Sequence, residues 1–416
     1  MSHMSFMEKL LEDVEVEWRP LGQVAEIYGG LTGKSKSDFE NGNAKYISYK
    51  NIFNNIEINF NNLDSVKVSS SENQHEVKYG DVLFTGSSET ANEAGMSSSV
   101  TVQFDEKIYL NSFSFGLRFN DDIQMTPEFS KYLFRSHFMR KEIAKTASGV
   151  TRFNVSKARF KKLPVPIPPL HVQSEIVRIL DNFTELTAEL TAELSARKKQ
   201  YSYYRDQLLS FDESEVEFKT LGEVGEFIRG KRFVKTDMIA EGFPCIHYGE
   251  MYTHYNIWAK ESKSFISNEL ASKLRVADYG DVIIVAAGET IEDLGKGTAW
   301  LGDTGVVIHD ACFFFKSTLN PKYVAYFTRT KFFHDQIKKH ISSGKISAIN
   351  AKGLSKTKIP IPSPDEQARI VAILDKFDVL TNSITKGLPR EIELRQKQYE
   401  YYRDMLLSFQ KVESEA

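Results

Sequence analysis

The chain has 416 residues, 41% of them hydrophobic and 26% charged, with a formal net charge of -3 and a pI near 6.4. That length holds two or three domains with ample core, and the mild acidity excludes a protein that coats nucleic acid regardless of sequence, though not local basic patches. Two cysteines, Cys245 and Cys312, without a CxxC or Cys/His cluster, speak against structural zinc and fit a reducing, cytoplasmic setting, and no apolar run reaches the roughly 18 residues of a membrane span.

In chain order, the acidic start from Glu8 to Glu17 is not that of a secretory leader. The opening Met-Ser-His-Met is set aside from the fold reading. "GGLTGKS" (29–35) then resembles a phosphate-binding loop, but only Gly30, Leu31 and Thr32 separate Gly29 from Gly33-Lys34, whereas such a loop needs four residues there. No apolar strand follows that ends in a magnesium-binding Asp. Two readings remain: a flexible loop leaving a first strand, or a basic loop facing DNA with Lys34 and Lys36. "NAKYISYKNI", "GDVLFTG" and "KIYLNSFSFGLRF" are β-branched and aromatic runs bounded by Gly, Asn and Asp, the pattern of strands. A helix is expected from Pro127 to Ala147. "TRFNVSKARFKK" (151–162) carries five basic residues and no acid.

From residue 166 the sequence changes character. "PIPPLHVQSEIVRILDNF" opens with prolines, tolerated at a helix start, and continues with Ile176, Ile179, Phe183, Leu186, Leu190 and Leu194 at three- and four-residue steps. This is a heptad-like seam on a helix of roughly 60 Å, from His171 to Phe211. Such a helix needs a partner for its stripe.

The chain then repeats itself. Leu21-Gly22-Gln23-Val24 returns as Leu221-Gly222-Glu223-Val224, and Tyr79-Gly80-Asp81-Val82 as Tyr279-Gly280-Asp281-Val282. Ser148-Gly149 returns as Ser343-Gly344, and Asn154 is matched with Asn350. The second copy of the phosphate-loop region reads "FIRGKRFVK" (227–235), with no such loop but with Lys231, Arg232 and Lys235. "GDVIIVAAG" is a strand, and a helix is expected from Pro321 to Ile341. "KISAINAKGLSKTK" (345–358) is a second acid-free basic segment. "PIPSPDEQARIVAILDKF" (360–377) repeats the helix opening, with Ile370, Ile373, Phe377, Leu380 and Ile384 on its seam. Gly387-Leu388-Pro389 should kink or break this helix. "YSYYRDQLLSF" (201–211) returns as "YEYYRDMLLSF" (399–409), and its Tyr201, Tyr204, Leu208 and Phe211, with Tyr399, Tyr402, Leu406 and Phe409, read as packing faces.

The expected architecture is α+β: two similar mixed α/β domains (1–165 and 212–359), each followed by a long helix (166–211 and 360–416), the helices pairing antiparallel as a coiled coil. The domains have drifted apart while the helices stayed alike. No Asn-Pro-Pro-Tyr/Phe tetrapeptide, His-Glu-x-x-His or Gly-x-Ser-x-Gly is present, so no catalytic or metal residue is nominated. Candidates for reading bases are Tyr46, Ser48, Tyr49, Lys50 and Asn51 with the loop Thr85, Ser87 and Ser88. In the second domain they are His247, Tyr248, Glu250 and Glu289. Candidates for phosphate contact are Arg152, Asn154, Lys157 and Arg159, and Lys345, Asn350, Lys352 and Lys356, besides the lysines and arginine of the two loops.

"PLGQVAEIYGG", "YGDVLFTGSSE", "PVPIPPLHVQSEIVRILDNFTEL" and "QYSYYRDQLLSF", with their second copies, resemble the DNA-specificity subunit of Type I restriction-modification systems over essentially the whole chain. The resemblance implies a non-catalytic subunit whose two target-recognition domains each read one half of an asymmetric, bipartite double-stranded target. It implies helices that set the spacer and dock two methyltransferase subunits. These would use S-adenosylmethionine to methylate adenine at N6, and two motor-nuclease subunits would use ATP and magnesium. Duplicated readers held apart by a rod suit two half-sites at fixed spacing independently of that resemblance. The competing readings are a coiled-coil scaffold without specific DNA binding and an enzyme using the GGLTGKS loop.

Overall fold

The computed structural model describes residues 14–344, 346–383 and 385–409. The chain divides into two compact units, Met1–Glu189 with Glu393–Ala416, and Leu190–Ile392. Each unit therefore contains one divergent domain, the beginning of its own repeat helix and the end of the other repeat's helix.

In the first unit a four-stranded antiparallel sheet runs in the order Ala25–Gly29, Ser114–Phe119, Val82–Thr85, Ser97–Ser99. The strand Val82–Thr85 is buried on both faces because successive side chains point opposite ways. Val82 and Phe84 enter one core with Phe115, Phe134 and Phe160, and Leu83 enters another with Ile47, Ile52 and Leu110. A second sheet pairs Ala44–Ile47 with Asp64–Val66 and, in parallel, with Ile108–Leu110. A third, small sheet joins Ser87–Ser88, Phe153–Val155 and Ala147–Ser148.

The second unit repeats this plan. Its main sheet runs Gly225–Arg229, Cys312–Ser317, Val282–Val285, Gly297–Trp300, with Trp258–Ala259 added at the edge. Ala287–Gly288 pairs with Ser347–Ala348, as Ser87–Ser88 pairs with Phe153–Val155. The α+β reading holds for both domains.

The repeated Tyr-Gly-Asp is structural. Gly80 and Gly280 sit at φ +87° and +90°, where a side chain is strained. The Asp81 carboxylate accepts from the Lys78 N–H (2.8 Å), the Tyr28 hydroxyl (2.5 Å) and Arg118 Nε (2.7 Å). Asp281 accepts from the Asp278 N–H (2.7 Å) and Lys316 Nζ (2.8 Å). The aspartate closes the turn and ties it to a cation on the neighbouring strand.

The first repeat helix is unbroken over Leu170–Leu208, and the second is split into Pro364–Asn382 and Leu388–Leu406. The break comes where Gly387, at φ +81°, precedes Pro389; Ile384 lies outside the described residues. The glutamine of each helix opening is buried and fastens the helix to its domain. Gln173 Oε1 accepts from the Thr126 N–H (3.0 Å) and Oγ1 (3.2 Å), and its Nε2 donates to the Gln124 (2.7 Å) and Pro168 (2.8 Å) carbonyls. Gln367 accepts from the Asn320 N–H (2.9 Å) and donates to the Pro362 carbonyl (2.9 Å). Thr126 and Asn320 cap the two corresponding domain helices, Pro127–Leu133 and Pro321–Phe327.

Burial on the helices is concentrated at their ends. Val172, Ile176, Ile179 and Leu180 join the first core with Leu406 and Leu407, and Ile370, Val371 and Leu374 join the second with Tyr201 and Leu209. Between Phe183 and Gln200 no residue is fully buried. Ile373 and Leu208 are only half-buried; the neighbours Leu374 and Leu209 take the deepest positions. In the first unit Phe183 stacks on Tyr402 (5.4 Å, 24°), and in the second Phe377 stacks on Tyr204 (5.7 Å, 26°). Thus the phenylalanine near the start of one repeat helix meets a tyrosine near the end of the other. This reciprocity is a physical reason for the two helices to have stayed alike.

Candidate nucleic-acid interface

Several expected base readers do other work. Asn51 is buried: its Nδ2 donates to the Asn59 and Asn62 carbonyls and its Oδ1 accepts the Asn59 N–H, all at 2.9–3.0 Å. Thr85 is buried and its hydroxyl accepts the Met96 N–H (2.9 Å). Glu250 is buried, closing a capping box on the His247 N–H (2.9 Å) and accepting the Ser264 hydroxyl. Tyr46 packs against Phe39 (5.2 Å) in a small apolar cluster. Ser48 stands at the cap of the helix Tyr49–Asn54, while Lys50 is exposed.

The phosphate-like loop is held from within. Lys34 is tied to Glu72 and to the Lys67 carbonyl (2.7 Å), with its side chain 5% exposed, so it is no free cation for a phosphate. Ser35 caps the turn Lys36–Phe39 with Asp38, leaving Lys36 exposed. In the second domain Lys231 donates to the Lys273 carbonyl (2.8 Å), and Arg232 is exposed.

What remains gathers in each domain at one place. In the first, Tyr49, Phe53, Ser87, Glu89, Phe113 and Arg152, with Ser88 and Glu93, line an open cleft of about 560 Å³. Tyr49 stacks on Phe53 (5.9 Å, 17°) and donates its hydroxyl to the Ser87 carbonyl (2.8 Å). Arg152 Nε donates to Ser87 Oγ (3.0 Å), and its guanidinium lies 5.6 Å from the Phe113 ring centre. Glu93 accepts from Ser88 (3.2 Å) and Thr90 (2.8 Å).

In the second domain Tyr248, Tyr252, Ala287, Glu289, Asp293 and His309, with Gly288, Ala311 and Ile346, line a cleft of about 460 Å³. Strand pairing aligns the two places: Ser87 with Ala287, Phe113 with Ala311, Arg152 with Ile346. His247 and His309 are buried with ring centres 4.6 Å apart, and Tyr248 leans on both. His309 Nδ1 accepts the Ala311 N–H (3.1 Å), which requires a ring unprotonated at that nitrogen. Burial holds both imidazoles below the usual histidine value.

The basic segments flank the clefts. Lys157 is exposed, its ammonium 5.7 Å from the Phe115 ring centre, and Arg159 reaches the Lys145 carbonyl. Lys352 and Lys356 are exposed; Lys345 lies outside the described residues. Asn154 and Asn350 are not counterparts: strand register matches Asn154 with Ala348. Asn350 caps the helix Ala351–Ser355, the role Ser156 plays for Lys157–Phe160.

Sequence reading passed over Phe113, His309 and two half-buried arginines. Arg135 donates to the Ile52, Phe53 and Asn55 carbonyls (2.9–3.1 Å), fixing the end of the helix that presents Tyr49. Arg329 does the same for the Asn256 (2.8 Å) and Gly297 (3.1 Å) carbonyls. The repeat carried that signal, in "FRSHF" and "TRTKF". Cys245 and Cys312 are buried free thiols, pushed up to about 12 by burial. Among the described residues no group of three His, Cys, Asp or Glu is placed to hold a metal, and no helix is long and apolar enough to cross a membrane.

Comparison with known proteins places this architecture. The family model "Type I restriction modification DNA specificity domain" matches twice, over residues 13–197 and 213–394. The Escherichia coli Type I restriction enzyme EcoR124I/EcoR124II specificity subunit is 34% identical, over 100% of this chain and 99% of that protein. A putative type I specificity subunit of Haemophilus influenzae, S.HindORF215P, is 33% identical over 98% and 99%. A solved structure concerned with complex assembly and conformational transition of the type I R-M system shares the fold, with TM-score 0.68 at 16% identity over 95% and 98%. Two family matches in tandem, on two domains that each carry a cleft at the same position, make this chain a member of the DNA-specificity subunits of Type I restriction-modification systems.

Proposed function

We propose that each domain reads one half of a split, asymmetric double-stranded DNA target through its cleft, with Lys157, Arg159, Lys352 and Lys356 on backbone phosphates. The observation that carries this reading is the pair of clefts: the same strands and helix build both, yet their linings differ in chemistry. The repeat helices set the gap between half-sites and dock two methyltransferase subunits. The chain catalyses nothing itself. Methyltransferase partners supply S-adenosylmethionine-dependent methylation of adenine, and motor-nuclease partners supply ATP- and magnesium-dependent cleavage.

Co-expression with its methyltransferase subunit, followed by sequencing of host DNA for N6-methyladenine, tests the proposal. The expected result is one motif of two short blocks around a fixed unspecified gap. A stable complex with neither methylation nor salt-dependent DNA affinity would overturn it in favour of a scaffold.

A further inference from the structure

Resting on that reading, we infer that Arg152 is the specificity-determining residue of the first half-site and that it reads guanine. An arginine that reads a base must present a fixed fork rather than a wandering charge. Arg152 is fixed at one edge. Its Nε–H is spent on Ser87 Oγ at 3.0 Å, and its guanidinium is held beside the Phe113 ring at 5.6 Å. Ser87 is itself fixed, since its strand pairs with Asn154 and its carbonyl accepts Tyr49. Among the described residues the two Nη groups have no hydrogen-bond partner, which leaves paired donors for the O6 and N7 acceptors of guanine.

The surroundings separate a base from a phosphate. Glu89 and Glu93 share the cleft with Arg152. Two carboxylates oppose a phosphate entering beside them but not the neutral edge of a base pair, whose exocyclic amino groups they can accept. The exposed cations suited to phosphate, Lys157 and Arg159, do not line this cleft.

The second domain supplies the control. Glu289 and Asp293 stand where Glu89 and Glu93 stand, but Ile346 replaces Arg152, Ala287 replaces Ser87 and Ala311 replaces Phe113. The cation, its hydrogen-bond anchor and its aromatic rest are absent together, as expected if the three form one device. The second half-site is therefore read at this position without arginine.

The test uses the chain assembled with its methyltransferase, once the wild-type motif is known. Arg152→Lys keeps the charge and loses the fork. It should relax one G·C position of one half-site, with discrimination falling about tenfold or more, while the other half-site and the salt dependence stay unchanged. A measurement on the unmodified protein guards against misfolding: 7-deazaguanine at that position should weaken binding comparably, and at guanines of the other half-site should not. If Arg152→Lys leaves the motif intact, or if Arg152→Ala weakens all sequences alike and lowers the salt slope by about one, Arg152 is a phosphate contact and the inference fails while the split-motif reading stands. A wild-type complex with no split motif overturns both.

Discussion

The first cleft is organised around a fixed cation and the second around two buried imidazoles, on strands that correspond residue by residue. Arg152, Ser87 and Phe113 give way to Ile346, Ala287 and Ala311, and Ser48 and Asn111 give way to His247 and His309. Meanwhile the Asp of the turn, the Gln of the helix opening and the half-buried Arg that binds backbone carbonyls recur in both units. The difference teaches where a duplicated reader can change. Groups that pair buried backbone or charge are held, because leaving such partners unsatisfied costs about 1–3 kcal/mol each. Side chains that only line an open cleft carry no such penalty, and where a buried one changes, as Asn111 to His309, the replacement still accepts the N–H two residues on.

The largest expected effect bears on what the two domains share. Removing one heptad, residues 186–192 with the matching heptad of the second helix, should abolish methylation of the original motif and move it to one with a shorter gap. Methylation mapping should show both half-sites unaltered; an altered half-site would end the idea that helix and cleft act separately.

Next comes the anchoring of each domain. Gln173→Ala breaks four hydrogen bonds and should destabilise the first unit by on the order of 3 kcal/mol. Gln367→Ala breaks the two described for it and should cost roughly half as much. Thermal unfolding of the two variants would show equal losses if the glutamines merely filled space.

Acid should separate the domains. His247 and His309 sit below the ordinary value of 6.5, chiefly through burial. Lys235 near His247 and Arg232 near His309 push the same way, against Glu250 and Asp310. Above pH 6.5 neither folded nor unfolded chain is protonated there and stability is full. As pH falls through 6.5 toward the lower folded values, the unfolded chain takes protons the folded one refuses, and stability declines. Hydrogen exchange between pH 7 and 5 should show the second domain loosening first, and the His247→Ser/His309→Asn double variant, which copies the first domain, should weaken that dependence and leave the part due to His334, whose imidazole burial also holds low.

The smallest effect belongs to the exposed lysines. Lys352→Ala and Lys356→Ala should each weaken DNA binding about equally for all sequences and reduce the salt slope by about one. A change of motif would make them base readers instead.

The sequence alone determined the duplication, the α+β class, the place where the second helix breaks and the family resemblance. These rest on local or repeated signals: glycine turns, proline helix starts, seam spacing, and motifs written twice. Only the tertiary structure decided which polar residues face out. Asn51, Thr85 and Glu250 look the same in sequence as Tyr248, Glu89 and Glu289, yet the first three are buried and spent on neighbouring backbone and side chains, while the second three are exposed and line a cleft. Strands as short as Ser87–Ser88 have no periodicity from which to read a face. Arg152 and Ser87 meet only because two distant strands pair. Chemistry made by such pairing depends on register, and an offset of even two residues, as between Asn350 and Ala348, the true counterpart of Asn154, changes which side chain arrives.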